Sequence, residues 1–413
     1  MTTGAKSISR AWLTVGLLWF AAYLNFIAGI MITTMHGSIV KAIPMTETQF
    51  GLLTSASLWA YGFLSPIAGF LADRFSRSRV ITVSMLVWSI VTFLTGYART
   101  FEQLLVMRIL MGISEACCLP ASVALIADYH RGSTRSLATG VYVTGIYLGC
   151  SFAGLGGWLA ERRGWSCAFS VVGLAGVAYG VLLPFALRDT TREEGRPMAG
   201  EAARSPATFR AALTSLFSCG SFILALAYCG ILGAVGWMIA GWMPVYFAEH
   251  FHLGAGAAGL SANGYLNMAA LFGLLVGGVW ADRWAATNER GRILVPVIGL
   301  VVAGPGILMA AQTNLFGLAA LGLTLYGFAA AFSDSNAMPI LCLISDPRYR
   351  ATGYGLLNMA GTVSGGLAVY AAGVFRDERV DLGKVMAIAS GGLGICVVLL
   401  LLIKRRPVRA HAN

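Results

Sequence analysis

The feature that most constrains this chain is a series of apolar stretches, each long enough for a helix to cross the hydrocarbon core of a bilayer. Because lipid offers no water to satisfy backbone N–H and C=O groups, each stretch is predicted to be a helix. The predicted spans lie near 11–35, 50–72, 80–98, 102–127, 137–160, 166–187, 215–246, 256–281, 292–311, 315–344, 352–375 and 383–403. The predicted fold class is therefore an all-α membrane protein with twelve transmembrane helices.

The twelve spans form two related sets of six, because short segments of the first set reappear in the second. Gly69 to Arg74, after span 2, matches Gly278 to Arg283, after span 8. Such duplication is typical of transporters with a binding site between the two repeats. The predicted domains are an N-terminal six-helix bundle (1–187), a polar cytoplasmic linker (188–212) and a C-terminal six-helix bundle (213–413).

The excess of basic over acidic residues in the chain is explained by the predicted membrane topology. Charged residues make up 11% of the sequence, and the net charge is +11. If the loops after even-numbered spans face the cytoplasm, that side carries roughly three times as many Lys and Arg residues as the other. This bias predicts an integral protein of the plasma (inner) membrane with both termini in the cytoplasm, and no nucleic-acid partner.

The sequence contains no pattern that indicates catalysis or a resident cofactor. Its eight cysteines lie mostly in apolar stretches, and none has metal-ligand spacing with a histidine. Phosphate-binding loops, nucleophile elbows and dinucleotide fingerprints are missing from the sequence. We therefore predict that the protein is not an enzyme and binds neither a metal nor a cofactor.

The loop after span 2, Gly69-Phe-Leu-Ala-Asp73-Arg74 followed by further basic residues, carries the first specific motif. It resembles the loop signature of the major facilitator superfamily, Gly-x-x-x-Asp-Arg. The resemblance implies the major facilitator fold, two pseudo-symmetric six-helix bundles that rock about a central site, with a cytoplasmic latch that breaks and reforms. The predicted latch residues are Gly69, Asp73, Arg74, Arg77, Gly278, Asp282 and Arg283.

Span 4 carries two charged residues, Arg108 and Glu115, within an apolar helix. A charge at the centre of a membrane helix costs about 2.5–3.5 kcal/mol even on insertion scales, so such residues usually face a cavity and serve function. The two residues are seven positions apart, so they share one face and lie about 10 Å apart along the helix axis.

The segment around this pair is similar to the Arg-x-x-x-Gly-x-x-Glu-Ala pattern of the anion–cation symporter branch of the superfamily. It equally resembles the spinster-like branch, which moves lysolipids. Both branches commonly carry an Asp-Arg pair in span 1, where the Asp takes part in proton coupling. Here those positions hold Ala28 and Gly29, so the usual coupling pair is replaced.

A second acid lies in the equivalent place of the second repeat. Aligning Pro120 with Pro339 places Glu115 opposite Asp334 in span 10. Our hypothesis is that these acids face one central cavity from opposite halves and carry the coupling proton. The alternative is that both are hydrogen-bonded for packing alone.

Several other side chains are candidates for the binding site. Arg108, the basic residue within a span, is either an anion-binding residue or a salt-bridge partner of an acid. His36 is expected to be an interfacial residue at the end of span 1. The remaining candidates, each of which could instead serve packing, are Asn25, Tyr61, Tyr142, Tyr147, Trp237, Asn263, Asn267, Tyr326 and Asn358.

These observations predict a secondary active transporter, a symporter that moves a small organic anion by alternating access and is coupled to protons or another ion. A spinster-like carrier of a lysolipid or other amphiphile is the alternative, and a non-transporting membrane receptor is a more remote one. The expected partners are a small-molecule substrate, the coupling ion and the lipid bilayer, and we expect a monomer.

Overall fold

The computed structural model describes residues 2–74, 76–130, 134–187, 209–288, 290–346 and 349–404; at 2–9, 66–74, 135–136, 209 and 351 it describes the backbone only. These segments contain fifteen helices and no strand. The first half of the chain forms α1 (Thr2–Thr34), α2 (His36–Ala42), α3 (Glu47–Arg74), α4 (Arg77–Thr95), α5 (Phe101–Tyr129), α6 (Arg135–Ser151), α7 (Gly154–Arg163) and α8 (Trp165–Ala186). The second half forms α9 (Phe209–Phe217), α10 (Gly220–His250), α11 (Ala255–Ala285), α12 (Gly291–Gln312), α13 (Phe316–Ile344), α14 (Arg350–Asp377) and α15 (Leu382–Leu402).

The helices correspond to the twelve predicted spans, so the predicted fold class is confirmed. In the described part of the chain, ten helical segments are both long and apolar enough to cross a membrane, with α6 and α7 together serving as one of them. The remaining two predicted spans are α3 and α14, which have 28 residues each. At 1.5 Å per residue each is about 42 Å long, which is sufficient to cross the bilayer.

Two details differ from the sequence-based expectation. Span 5 is interrupted after Ser151, so it consists of α6 and α7 in place of one continuous helix. The short helix α9 begins at Phe209, inside the predicted linker, and buries Ala212 and Leu216 while Arg210 and Thr214 stay exposed. Residues 188–208 of that linker lie outside the described residues. The amphipathic face of α9 explains why this segment is helical and packs against the bundle.

Close helix packing explains the abundance of glycine. A Cβ atom at Gly112 of α5 would collide with the backbone of Ser57 in α3, and one at Gly273 of α11 would collide with the backbone of Phe328 in α13. Helices in lipid gain no hydrophobic effect from meeting each other, so small residues that let backbones approach are favoured. Large apolar side chains are instead exposed on the outer faces of the helices, such as Phe63, Leu182 and Phe185. This distribution fits a protein whose surroundings are lipid.

The two halves of the chain meet along two helix pairs. Along α3 and α14, the Ser55 hydroxyl donates to the Gly366 carbonyl at 2.6 Å and the Trp59 indole donates to the Val363 carbonyl at 3.2 Å. Along α7 and α11, Gly154 lies directly against the backbone of Leu260. These contacts leave α1, α6, α10, α11, α13 and α14 around a central space.

Candidate functional site

A cavity of about 510 Å³ lies between the two halves of the chain. The first half contributes α1 and α6, and the second contributes α10, α11, α13 and α14. The first-half residues in its wall are Ile30, Val143, Ile146, Tyr147 and Cys150. The cavity is therefore a shared feature of both repeats, as expected for a site that moves between two access states.

Asp334 of α13 is the acidic residue in the described wall of this cavity, and its side chain is accessible from the cavity. Tyr147, which belongs to α6 of the first half, lies close enough to the Asp334 carboxylate for the two side chains to interact electrostatically. The neighbouring Asn336 turns inward, and its amide donates to the Phe332 carbonyl at 2.9 Å. The carboxylate therefore faces a residue of the other half across the cavity.

Three of the predicted asparagines also line the cavity, namely Asn263, Asn267 and Asn358. The Asn267 amide donates to the backbone carbonyl of Asn263 at 3.0 Å, which holds the Asn267 side chain against the preceding turn of α11. The Asn263 Nδ2 atom is buried and has no hydrogen-bond partner in the described part of the chain. A buried donor without a partner costs free energy, so this amide is a group that a ligand could satisfy. The aromatic candidates Tyr147, Trp237 and Tyr326 lie in the same wall.

The other candidates from the first half lie behind this wall. Arg108 is completely buried, and its guanidinium sits 5.5 Å from the ring centroid of Phe169. Its Nε and Nη2 atoms have no hydrogen-bond partner among the described residues. Glu115 on the same helix is close enough to interact with Arg108 electrostatically, but the described part of the chain shows no ion pair between the two side chains.

Glu115 also interacts electrostatically with Tyr61, Tyr142 and Cys150, the last of which reaches the cavity wall. Asn25 is buried, and its Oδ1 atom lacks a partner in the described part of the chain. The structure thus brings Asp334 and the three asparagines of the second half together. Arg108, Glu115, Asn25, Tyr61 and Tyr142 are not among the residues that line the cavity, although Tyr61 lies close enough to Asn358 to interact with it. Arg108 and Glu115 lie outside the wall because α5 packs inside the first bundle, against α3 and α4.

The predicted latch residues are only partly described. Side chains at Gly69, Asp73 and Arg74 lie outside the described residues. Arg77 forms an ion pair with Asp128 of α5 and donates to the Ala124 carbonyl at 3.1 Å, both within the first half. In the second half, Arg292 pairs with the exposed Asp282 at 3.3 Å, and Arg283 is exposed. A Cβ atom added at Gly278 would lie 3.8 Å from the Ser335 Cβ, which is an ordinary van der Waals contact.

The opposite end of the molecule carries a cluster of charged residues that the sequence analysis missed. We call His36, Glu47, Glu249, Arg376 and Asp377 the far-end cluster, because it lies at the helix ends remote from the chain termini. His36 Nε2 and Arg376 Nε both lie 2.9 Å from Glu47 Oε2. Arg376 also donates to both carboxylate oxygens of Glu249, at 2.7 and 2.8 Å. The Asp377 carboxylate accepts the backbone N–H groups of Glu47 and Thr48, each at 2.9 Å.

This cluster ties the first half to the second, because Glu47 and His36 come from one half and Arg376, Asp377 and Glu249 from the other. Burial alone would raise the pKa of the Glu47 carboxyl. The hydrogen bond from His36 and the charges of His36 and Arg376 outweigh it and hold that pKa below its ordinary value. The only sequence signal for the cluster is that charged residues occur together at the ends of spans 2, 7 and 11.

Comparison with known proteins shows which family has this architecture. A family model described as Major Facilitator Superfamily matches residues 15–369. Among similar proteins are an MFS-type efflux pump of Mycolicibacterium smegmatis, 24% identical over 90% of this chain and 86% of its own length, and a probable galactarate/D-glucarate transporter of Escherichia coli, 22% identical over 87% and 86%. A 3-(3-hydroxy-phenyl)propionate transporter of Escherichia coli is 25% identical over 95% and 91%.

A solved structure also shares this fold. A bacterial homologue of the human lysosomal transporter Spinster, in an inward-facing and unoccupied conformation, superposes with a TM-score of 0.77 at 22% identity and covers 95% of both chains. The resemblance to both branches is therefore confirmed at the level of family and fold. With its two helical bundles, its cavity between them and a family match across most of its length, the chain belongs to the Major Facilitator Superfamily.

Proposed function

We propose that the protein is a secondary active transporter that moves a small organic anion across the membrane by alternating access, with protons as the coupling ion. The observation that carries this proposal is the position of Asp334, a carboxylate in the wall of the cavity between the two halves, with Tyr147 of the first half in the same wall. Relatives named as transporters of galactarate/D-glucarate and of 3-(3-hydroxy-phenyl)propionate support the anionic substrate class.

The coupling follows from charge. A charged Asp334 would repel a bound anion across the cavity, where the surrounding helices and lipid keep the effective dielectric constant low. A protonated Asp334 carries no charge and can donate a hydrogen bond to the anion. The proton and the anion therefore bind together, and the loss of either one favours release of the other.

Arg108 and Glu115 have a supporting role in this proposal. A buried guanidinium with unpartnered Nε and Nη2 atoms gives the first bundle a positive potential near the cavity. Glu115 partly offsets that potential when it is charged and leaves it in place when it is protonated. We propose that Glu115 tunes the attraction for the anion, while Asp334 meets the substrate directly.

Alternating access requires the two halves to separate at each end in turn. In this structure the far-end cluster joins them at one end. Opening at that end would break the contacts of Glu47 with Arg376 and of Asp377 with the first turn of α3. At the other end, the described ion pairs of Arg77 and Arg292 each lie within a single half, so they do not oppose separation there.

An amphiphile carrier is the second candidate, favoured by the apolar surface on both sides of α11. This helix lines the cavity with Leu266, and its other face forms a lateral groove of about 580 Å³ with Leu260, Met268 and Phe272 in its wall. A lysolipid could place its headgroup in the cavity and its chain in the groove. Inhibition by lysolipid without uptake of any small acid would favour this candidate.

The test is uptake into proteoliposomes that contain the purified protein and carry an imposed pH gradient. We expect the gradient to drive uptake of a small organic acid, and Asp334→Asn to abolish this dependence while leaving exchange of acid across the membrane. Normal gradient dependence in both Asp334→Asn and Glu115→Gln would overturn the coupling proposal. Binding without any exchange would instead indicate a receptor.

A further inference from the structure

The charges in the cavity wall limit which anions can bind. Twenty-eight residues line the cavity, and the described ones include one carboxylate, Asp334, and no Lys, Arg or His. The described side chains that face Asp334 from the neighbouring helices are weakly acidic or neutral, and none of them is basic. The titratable side chains around Asp334 are Tyr147 of α6, Tyr228 and Cys229 of α10, Tyr326 of α13 itself and Tyr354 of α14.

The wall nevertheless offers neutral donors for one anionic group. The Asn263 amide is buried without a partner, and Asn358 and the Trp237 indole lie in the same wall. Amide and indole N–H groups can together saturate the oxygens of one carboxylate. A second anionic group would have to be buried without a cation or a further set of donors, which is strongly unfavourable.

Most of the remaining wall surface is apolar and fits a hydrocarbon body, although tyrosine, serine and threonine hydroxyls also occur in it. Ile146, Leu232, Leu266 and Leu357 project into the cavity from four different helices. The volume of about 510 Å³ lies within the range of pockets that enclose small organic ligands. A body covered with hydroxyl groups could pair with a few wall hydroxyls, such as those of Tyr228 and Ser333, but would leave its remaining hydroxyl groups unpaired against the apolar surface.

We infer that the cavity selects singly charged organic acids with an apolar body, aromatic or aliphatic, because its described wall offers no cation for a second anionic group, and that binding of the acid depends on protonation of Asp334. This inference rests on the proposed function and names the substrate class of the same site. Arg108 does not widen the class, because it lies behind the wall and Glu115 on the same helix opposes its charge.

The test compares probes on the purified full-length protein in lipid nanodiscs. The singly charged probes are benzoate, 3-phenylpropionate and octanoate. D-Glucarate serves as the hydroxylated dianion, and 3-phenylpropylamine serves as a cation of the same shape as 3-phenylpropionate. Binding is measured by calorimetry at pH 6 and at pH 8.

We expect at least one singly charged acid to bind tenfold or more tightly than D-glucarate and 3-phenylpropylamine, with affinity higher at pH 6 than at pH 8. Asp334→Asn, which keeps the shape and removes the charge, should retain binding of that acid and lose most of the pH dependence. Glu102→Gln, an exposed acid at the start of α5, is the matched control and should keep it.

Three results would overturn the inference: D-glucarate binding as tightly as the best acid, the amine binding more tightly than 3-phenylpropionate, or none of the three acids binding at either pH. The proposed function fails separately, when no organic acid is taken up in response to a pH gradient. Gradient-driven uptake of D-glucarate would therefore refute the substrate class while leaving the proposed function in place.

Discussion

Replacing Glu47 by glutamine should loosen the far-end cluster and shift the protein toward the state that is open at that end. Glu47 is the only described first-half carboxylate that pairs with Arg376, and the two side chains are 22% and 16% exposed. A hydrogen bond to a charged group contributes about 1.5–3 kcal/mol. Partial exposure reduces that contribution through solvent screening, so we take about 1–2 kcal/mol. Since 1.4 kcal/mol corresponds to a tenfold change, the equilibrium should shift by roughly 5- to 30-fold.

The assay is a distance measurement between spin labels at Lys41 and Lys384, two exposed far-end positions on opposite halves, in a variant without reactive cysteines. Glu47→Gln should increase the population with the longer distance. Glu378→Gln is the matched control, because it removes an exposed carboxylate two residues from Arg376 that forms no ion pair within the described residues. Unchanged distance distributions in both Glu47→Gln and Arg376→Gln would refute the reasoning.

The remaining predictions concern pH, the buried charges and the packing between the halves. Because the pKa of Glu47 is lowered in the closed far end, that contact is fully present above the ordinary glutamate pKa. It is lost as the pH falls through the lowered value, so acid should lengthen the same label distance more in the wild type than in Glu47→Gln, where only the Asp377 contact with the first turn of α3 is left to respond. Arg108→Gln should destabilise the protein by about 1–2 kcal/mol, the attraction between unit charges about 10 Å apart at an effective dielectric constant of about 20, because it removes the positive charge that interacts with Glu115. Adding Glu115→Gln should restore part of that loss in thermal unfolding, and equal melting temperatures for the single and double variants would contradict the electrostatic account. Gly154→Val should cost about 1–3 kcal/mol by forcing α7 and α11 apart, whereas Gly220→Ala, which meets open space, should leave the melting temperature nearly unchanged.

The sequence was sufficient for the fold because lipid restricts the backbone so strongly. Each long apolar stretch had to become a helix, and the two matching loops after spans 2 and 8 indicated the duplication. Span 5 shows where this reasoning ends. Its composition stays apolar across Phe152 and Ala153, yet the helix is interrupted there, next to the close approach of Gly154 and Leu260. That interruption depends on a contact with the other half, which local sequence does not encode.

The candidate site was likewise predictable from the sequence only in part. The sequence alignment of the two repeats selected Asp334, and the structure places it in the cavity wall. Arg108 and Glu115 were selected because they are charged residues inside an apolar helix. Whether their side chains point into the cavity depends on how α5 is rotated within the first bundle, which the sequence does not show. The far-end cluster was missed because Glu47, Glu249 and Arg376 are separated by more than a hundred residues and become neighbours only through the fold.

The central claim is that the cavity between the two halves is the transport site and opens to each side of the membrane in turn. The most direct measurement is the reactivity of Ala337→Cys, a substitution in the cavity wall, toward membrane-impermeant thiol reagents added to either side of oriented vesicles in a variant without other cysteines. We predict reaction from both sides, with Glu47→Gln increasing the rate from the far-end side and decreasing it from the other. Reaction from one side only, unaffected by Glu47→Gln, would contradict alternating access through this cavity.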